Sequence, residues 1–344
     1  MRQPSLFQAP SEWIPPENIP NLEAATEIAI DLETHDPGLK TTGPGWAIKK
    51  GKVIGVALAV EGWKGYFPLA HPGGGNFDEK VFTRQLKKIL DLPCDKIFHN
   101  ATYDLGWLRA EGIEVQGRII DTMITGAVVD ENRWSYSLDN LAKDWINMRK
   151  NEKMLRATAK DWGVDPKADM WLLPPSKVGA YAEQDALMTL KLWERLKQEL
   201  EKQDLWNIWK LETSLIPTML DMKTNGVRVD LDKADQVGSS LKKKVMELKA
   251  WVKNRTGVDL KPWASESVKT VFEKLNLKYP RTEAGAPSFT KQFLANHPHE
   301  VCQNIVKIRE FDKAGSTFIN TIKTHAHKGR IHAEFHQLRS DDGG

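Results

Sequence analysis

At 344 residues, 40% apolar and 28% charged, the chain is long enough for two or more domains and has the composition of a soluble globular protein. No apolar run approaches the roughly 18 residues that cross a membrane, residues 1–20 are polar and proline-rich without an export-signal core, and Cys94 and Cys302 make no disulfide framework. A net charge of +3 decides nothing by itself, so the expectation is a cytoplasmic, reducing setting with no membrane partner.

In chain order, 27–34 reads Glu-Ile-Ala-Ile-Asp-Leu-Glu-Thr. Ile28, Ala29 and Ile30 predict a buried strand, because strands covered on both faces read as continuous apolar runs. Asp31 and Glu33 follow, two apart; on an extended backbone they point to one face and can reach one divalent cation. Without a cation they would repel each other, although a strand running into a polar loop also shows Asp-x-Glu. A loop rich in Pro and Gly (37–45) leads to strands over 53–60 and 65–70, joined at Glu61-Gly62 as a meander. Phe82, Leu86, Ile89 and Leu90 predict a helix over 78–90. A short strand over 96–99 passes at once into Asn100-Ala-Thr-Tyr-Asp104, and a helix over 102–110 ends at Gly112. Residues 119–122 read as a strand end or helix start, and 137–145 as a helix capped by Ser137.

Pro174-Pro175-Ser176 opens the longest helical pattern of the first half, running to about Leu205 with Ser176 as its N-cap and Met188, Leu192, Leu196 and Leu200 along one face. Tyr181 and Asp185, four apart, share a face. Helix continues over 206–222 to the Asn225-Gly226 turn and an extended Val227-Arg228-Val229. Beyond Asp232 the chain reads as mainly helical and basic: over 236–282 eleven Lys or Arg stand against four Asp or Glu. Lys242, Lys243 and Lys244, with Lys249, Lys253 and Arg255, can follow a phosphate backbone or form a solvated helix face. Trp206, Trp209, Trp251 and Trp263 are expected to pack in cores. His325, His327, His332 and His336 have no cysteine beside them and are not expected to bind zinc. Strands and helices alternate up to about residue 200, which predicts an α/β domain followed by a mostly helical one.

Taken singly, Asn100-x-x-Tyr103-Asp104 is a helix cap with a first-turn acid, and Tyr/Asp four apart is common on helices. In the order Asp31-x-Glu33, Asn100-x-x-Tyr103-Asp104, Tyr181-x-x-x-Asp185, within about 200 residues, the chain resembles the DEDD exonuclease superfamily, in the subgroup with tyrosine in its third motif. It is most similar there to the proofreading domain of family A DNA polymerases, the DNA polymerase I type of bacteria and phages. The resemblance implies a ribonuclease H-like α/β fold over 1–204 and hydrolysis of DNA 3′ ends to nucleoside monophosphates. It implies that Asp31, Glu33, Asp104 and Asp185 hold two Mg²⁺ or Mn²⁺ ions, and that Tyr181 and Glu33 orient the attacking water. Hard oxygen ligands independently suit these ions, and two of them about 3.5–4 Å apart serve an in-line displacement. By the same resemblance Thr34, Asn100 and Tyr103 contact the terminal nucleotides, Leu32 stands where relatives often carry a hydroxyl residue and is tolerated there, and Asp121 is structural.

Over 205–344 the chain is similar to the linker and thumb of that family. The segments that carry this are Leu211-Glu212 through Pro217, Asn225-Gly226 through Asp230, Thr282 through Ser288, Lys313-Ala-Gly-Ser-Thr-Phe318 and the strand-like Gly329-Arg330-Ile-His332 through Gln337. The palm and fingers are expected to be missing: Arg309-x-x-x-Lys313 has thumb-like neighbours rather than those of a triphosphate-gripping helix, and Asp341-Asp342 sit in a Ser-Asp-Asp-Gly-Gly tail. Expected partners are DNA, as a single-stranded 3′ end or primer-template, and, if the chain is a split subunit rather than a fragment of a longer polymerase, a separate polymerase-core chain in a bacterial or phage-infected cell. Two alternatives stay open: a non-catalytic DNA-binding or assembly subunit, and an RNA-trimming enzyme similar to ribonuclease D.

Overall fold

Strand β1 (Glu27–His35) sets the architecture because its residues alternate between two cores. Ile28, Ile30 and Leu32 lie in one apolar cluster and Ala29 in the other, so Asp31 and Glu33 continue the alanine face. In the computed structural model, which describes residues 11–72 and 74–338, β1 pairs antiparallel with β2 (Lys52–Val60), and β2 with β3 (Trp63–Pro68). On its other side β1 runs parallel to β4 (Asp95–Phe98), and β4 to β5 (Ile119–Asp121), giving the order β3-β2-β1-β4-β5. This mixed sheet, flanked by helices, is the expected α/β fold.

One face of the sheet carries α1 (Glu79–Leu90) and α2 (Ala101–Ala110), whose Phe82, Leu86, Leu105 and Leu108 cover the isoleucines. The chain continues through α3 (Thr122–Val129), α4 (Leu138–Ile146), α5 (Lys153–Trp162) and the long α6 (Pro175–Lys202). Helix α6 packs on the other face, where Ala29, Ala57 and Ala59 are small enough to let it lie close. Its Met188, Leu192, Leu196 and Leu200 are all fully buried, as their spacing predicts. The helix starts differently from expectation: Pro174 is the N-cap and Pro175 the first helical residue, so Ser176 lies inside the first turn. Proline suits that position because its missing N–H would have had no intrahelical partner.

The chain divides into two compact units, Met1–Asn225 with His332–Gly344, and Gly226–Ile331. Helices α7 (Trp206–Ser214) and α8 (Ile216–Asn225), which the sequence reading groups with the second segment, pack within the first unit. The reason is burial: Trp209 stacks on Trp193 with ring centroids 5.6 Å apart, and Ile216 and Leu220 fill the core under α2.

The second unit is built on a small antiparallel sheet, β6 (Val227–Arg228), β7 (Ala326–His327) and β8 (Arg330–Ile331) in the order β6-β8-β7. Around it stand α9 (Leu231–Thr256), α10 (Ser265–Lys274), α11 (Lys291–Asn296), α12 (Glu300–Lys313) and α13 (Asn320–His325). Val252, Val268, Phe272, Ile305 and Ile308 make its core. Arg309 donates to the carbonyls of Pro262 and Phe289 (2.8 and 2.7 Å), which makes it a structural residue of this unit. Trp263 departs from the core expectation; it is 58% exposed, with its indole N–H on Asp312. Residues 1–10 of the expected export-free segment and the Asp341-Asp342 tail lie outside the described residues. Among the described residues no helix is long and apolar enough to cross a membrane.

Candidate active site

The alternation of β1 decides the site. Asp31 and Glu33 share the face of Ala29, the face on which α6 lies, and α6 carries Tyr181 and Asp185 one turn apart. Asp104 enters from the first turn of α2, and its Oδ1 accepts the N–H of Leu32 at 2.9 Å, which ties it to the middle of β1. Asn100 begins α2 in the left-handed region (φ 68°), a conformation asparagine tolerates. The turn is held by Asp121, whose carboxylate accepts the N–H groups of Asn100, Ala101 and Met123 at 2.8–3.1 Å. Asp121 is thus structural, as expected.

The carboxylates act on one another. Burial first, then the charge of Asp185, pushes Asp31 up to about 7 against the pull of a nearby ammonium, Lys150. Burial, Asp31 and Asp185 hold Glu33 well above the usual carboxylate range. Asp104 is raised by burial and by Asp31, with the Leu32 N–H opposing. Asp185 is raised by burial, while Lys150 and the Tyr181 hydroxyl oppose. Four acids drawn from three elements, Asp104 and Asp185 buried and Asp31 and Glu33 half-buried, therefore raise one another, an arrangement that cations relieve.

One cation comes from the chain itself. The Lys150 ammonium pairs with Asp185 Oδ2 and lies 3.2 Å from the Tyr181 hydroxyl. Burial disfavours its charge, but Asp185, Asp31 and Glu33 hold it above the ordinary lysine range. Among the described residues no group of three His, Cys, Asp or Glu side chains is arranged to hold a metal ion: Asp104 is turned to Leu32 and Asp185 to Lys150. The residues nonetheless fit hard divalent ions. All four offer carboxylate oxygens, and Asp185 Oδ1 is buried without a hydrogen-bond partner.

Of the other expected site residues, Thr34 and Tyr103 meet through their hydroxyls at 2.6 Å, and Tyr103 also reaches Asp36 at 3.4 Å. Asn100 lines a groove with Thr102, Met123, Tyr136, Ser137 and Phe335. Lys242, Lys243 and Lys244 lie on α9 of the second unit, exposed to solvent. Lys243 pairs with Glu247 at 4.0 Å, and Lys244 sits 5.4 Å over the Phe311 ring.

Sequence reasoning missed Lys150 and the support beneath Glu33. Gly55 pairs with Glu33 in register, and a Cβ there would come within 2.0 Å of the Tyr66 hydroxyl. That hydroxyl is bonded to His71 Nε2 at 2.7 Å, and His71 Nδ1 to the Leu173 carbonyl at 2.8 Å. No spacing marks these residues; Lys150 stands in an aperiodic connection between α4 and α5.

A family model described as 3′-5′ exonuclease, that of family A DNA polymerases, matches residues 15–201. This chain belongs to that exonuclease family. The exonuclease match contains all three carboxylate motifs. A DNA-directed DNA polymerase of Pseudomonas phage M6 is 35% identical, covering 98% of this chain and 52% of the phage protein. DNA polymerase I of Pseudomonas aeruginosa PAO1 is 27% identical over 94% of this chain and 36% of its own length. The chain spans about half the length of the phage polymerases it matches. In structure it is similar to the POL domain of Pol1 from M. smegmatis, solved with DNA primer-template and dNTP. The TM-score is 0.67 at 18% identity, covering 92% of this chain and 50% of that one, which bears on the fold alone.

Proposed function

We propose that the chain is a metal-dependent 3′-5′ exodeoxyribonuclease, the proofreading part of a family A polymerase. The observation that carries this reading is the convergence on one site of Asp31 and Glu33 from β1, Asp104 from α2 and Asp185 from α6, where burial and mutual charge raise all four carboxyls. Once ionised, such a set is costly for folding and repels a phosphodiester unless cations enter. Asp31, Glu33, Asp104 and Asp185 would hold two Mg²⁺ or Mn²⁺ ions, which supply a lowered pKa for the attacking water and charge stabilisation for the leaving 3′ oxygen. The chain's own residues do the positioning. Tyr181, whose hydroxyl is kept protonated by burial and by Asp185, Glu33 and Asp31, is a hydrogen-bond donor beside the acids. It orients the water with Glu33, while Thr34, Tyr103 and Asn100 hold the terminal nucleotides.

The deciding experiment is digestion of 3′-labelled and 5′-labelled single-stranded DNA with Mg²⁺, Mn²⁺ or EDTA, with a matched RNA beside it. Release of mononucleotides from DNA 3′ ends, abolished by EDTA, is the expected result. Digestion of RNA in preference to DNA would favour the ribonuclease D-like alternative, and no digestion with any metal would favour the assembly subunit.

Tyr181→Phe is expected to slow turnover by about 10–100-fold, the range for residues that orient a metal site's reactants, with Mn²⁺ affinity unchanged. Calorimetric titration of Mn²⁺ into the variant checks this, and lost metal binding would make Tyr181 part of the ion site instead. Replacing Lys242, Lys243 and Lys244 together by Gln is expected to flatten the salt dependence of DNA binding. For a single strand the slope of log K against log salt should fall by about 2, at roughly 0.7 per phosphate contact. An unchanged slope would place these lysines away from DNA.

A further inference from the structure

Lys150 has no part in the family motifs, yet the fold aims it at the acids with some precision of construction. Its backbone N–H donates to Asp139 Oδ1 at 2.8 Å, and the neighbouring Asn151 N–H to Gln184 Oε1 at 3.1 Å. Gln184 Nε2 returns a bond to the Arg149 carbonyl at 2.8 Å. The connection between α4 and α5 is thereby fastened on both sides of Lys150, to α4 and to the α6 residue next to Asp185. The side chain itself is held only through its ammonium, by one ion pair to Asp185, one 3.2 Å contact to the Tyr181 hydroxyl, and the Tyr181 ring 5.2 Å from Nζ. A flexible four-carbon stem on a fixed backbone can swing its ammonium away without disturbing the fold.

Asp185 shows both halves of a shared ligand. One oxygen is paired with Lys150, and the other is buried with no partner. We propose that Lys150 is a displaceable internal cation, which holds Asp185 until a divalent ion takes that carboxylate and thereby sets the metal affinity of the site. The proposal rests on the metal-dependent reading above. Its physical basis is competition: a buried carboxylate left alone is strongly unfavourable, so the ammonium stabilises the metal-free protein, and an incoming ion must displace it. A lysine with a merely structural role predicts the opposite, because its loss would loosen the site and weaken metal binding.

The test is calorimetric titration of Mn²⁺ into the full chain as wild type, Lys150→Met and Lys150→Arg. Lys150→Met is expected to bind Mn²⁺ at least about tenfold more tightly, since it removes one unit charge in contact with a ligand. It should melt at a lower temperature in EDTA and near the wild-type temperature with Mn²⁺. Lys150→Arg, which keeps the charge, is expected to bind close to wild type. Equal or weaker Mn²⁺ binding by folded Lys150→Met overturns the proposal. Should that variant not fold, acylation of lysines in the wild type, read by mass spectrometry, decides: Lys150 should become several-fold more reactive when Mn²⁺ is added, and unchanged reactivity overturns displacement. If neither wild type nor variant binds Mn²⁺, the metal-dependent reading itself fails and this proposal with it.

Discussion

Asp31→Ala is expected to cost more than about a hundredfold in metal-dependent digestion, because loss of an outer-shell partner already costs roughly 10–100-fold and the proposed function makes Asp31 one of the ligands themselves. The fold should survive. In the metal-free protein Asp31 is a liability: its carboxyl titrates near about 7 rather than at its ordinary 3.8, through burial and the charge of Asp185. Between those two values the folded state holds a proton that the unfolded chain has released. Stability of the metal-free protein therefore falls as pH rises from about 4 toward 7. Removing the carboxyl removes that penalty, so thermal melts in EDTA should show a flatter pH dependence for Asp31→Ala than for wild type, and melting at pH 8 no lower. A variant that keeps its activity would remove Asp31 from the site. One that melts well below wild type in EDTA would show that the carboxylate serves the fold instead.

Asp121→Ala is expected to lose about 3–5 kcal/mol of stability, because hydrogen bonds to a charged acceptor contribute roughly 1.5–3 kcal/mol each and burial of the charge offsets part of that. Asp121 is 1% exposed and serves two helices at once. It accepts from Asn100 and Ala101 at the start of α2, and from Met123 and, more distantly at 3.4 Å, Ile124 at the start of α3. Alanine leaves the buried N–H groups of Ala101 and Ile124 and the half-buried N–H of Met123 without this acceptor, and it frees the turn that presents Asp104. Asn, which keeps one acceptor oxygen, should lose less than Ala. Urea unfolding at pH 7, with an unchanged m-value, measures both; a loss below about 1 kcal/mol for Ala would mean that water or another group replaces the carboxylate.

The order of these two effects separates chemistry from architecture. Asp31, in the middle of β1, and Asp121, at the end of β5, are both acids that follow an apolar run, yet Asp121 accepts backbone N–H groups while Asp31 faces the charges of Asp185 and Lys150. Local sequence does not distinguish them, since each follows an apolar run. The number of N–H groups pointing at each oxygen does, and that number depends on the helix starts that β4 and β5 feed.

What the sequence determined by itself is local and periodic. The apolar run Ile28-Ala-Ile30, the meander after it, the helix over 78–90 and the stripe Met188, Leu192, Leu196, Leu200 follow from side-chain period and turn residues, which act over a few positions. Two-residue and four-residue spacings likewise put Asp31 with Glu33 and Tyr181 with Asp185 on shared faces, but that these and Asp104 belong to one site was legible only through the resemblance of the three motifs, in their order, to the exonuclease family. Tertiary structure decided the rest. It placed α7 and α8 with the first unit, because Trp209 packs on Trp193 of α6 and bonds Thr125 of α3, and Ile216 and Leu220 pack in the core under α2. It set Gly55 opposite Glu33 to make room for Tyr66, and it brought Lys150, from an aperiodic connection, to Asp185. Those contacts join residues that no local period relates, so packing of α6 against an alanine-lined sheet, rather than any motif, determines which cation the acids meet.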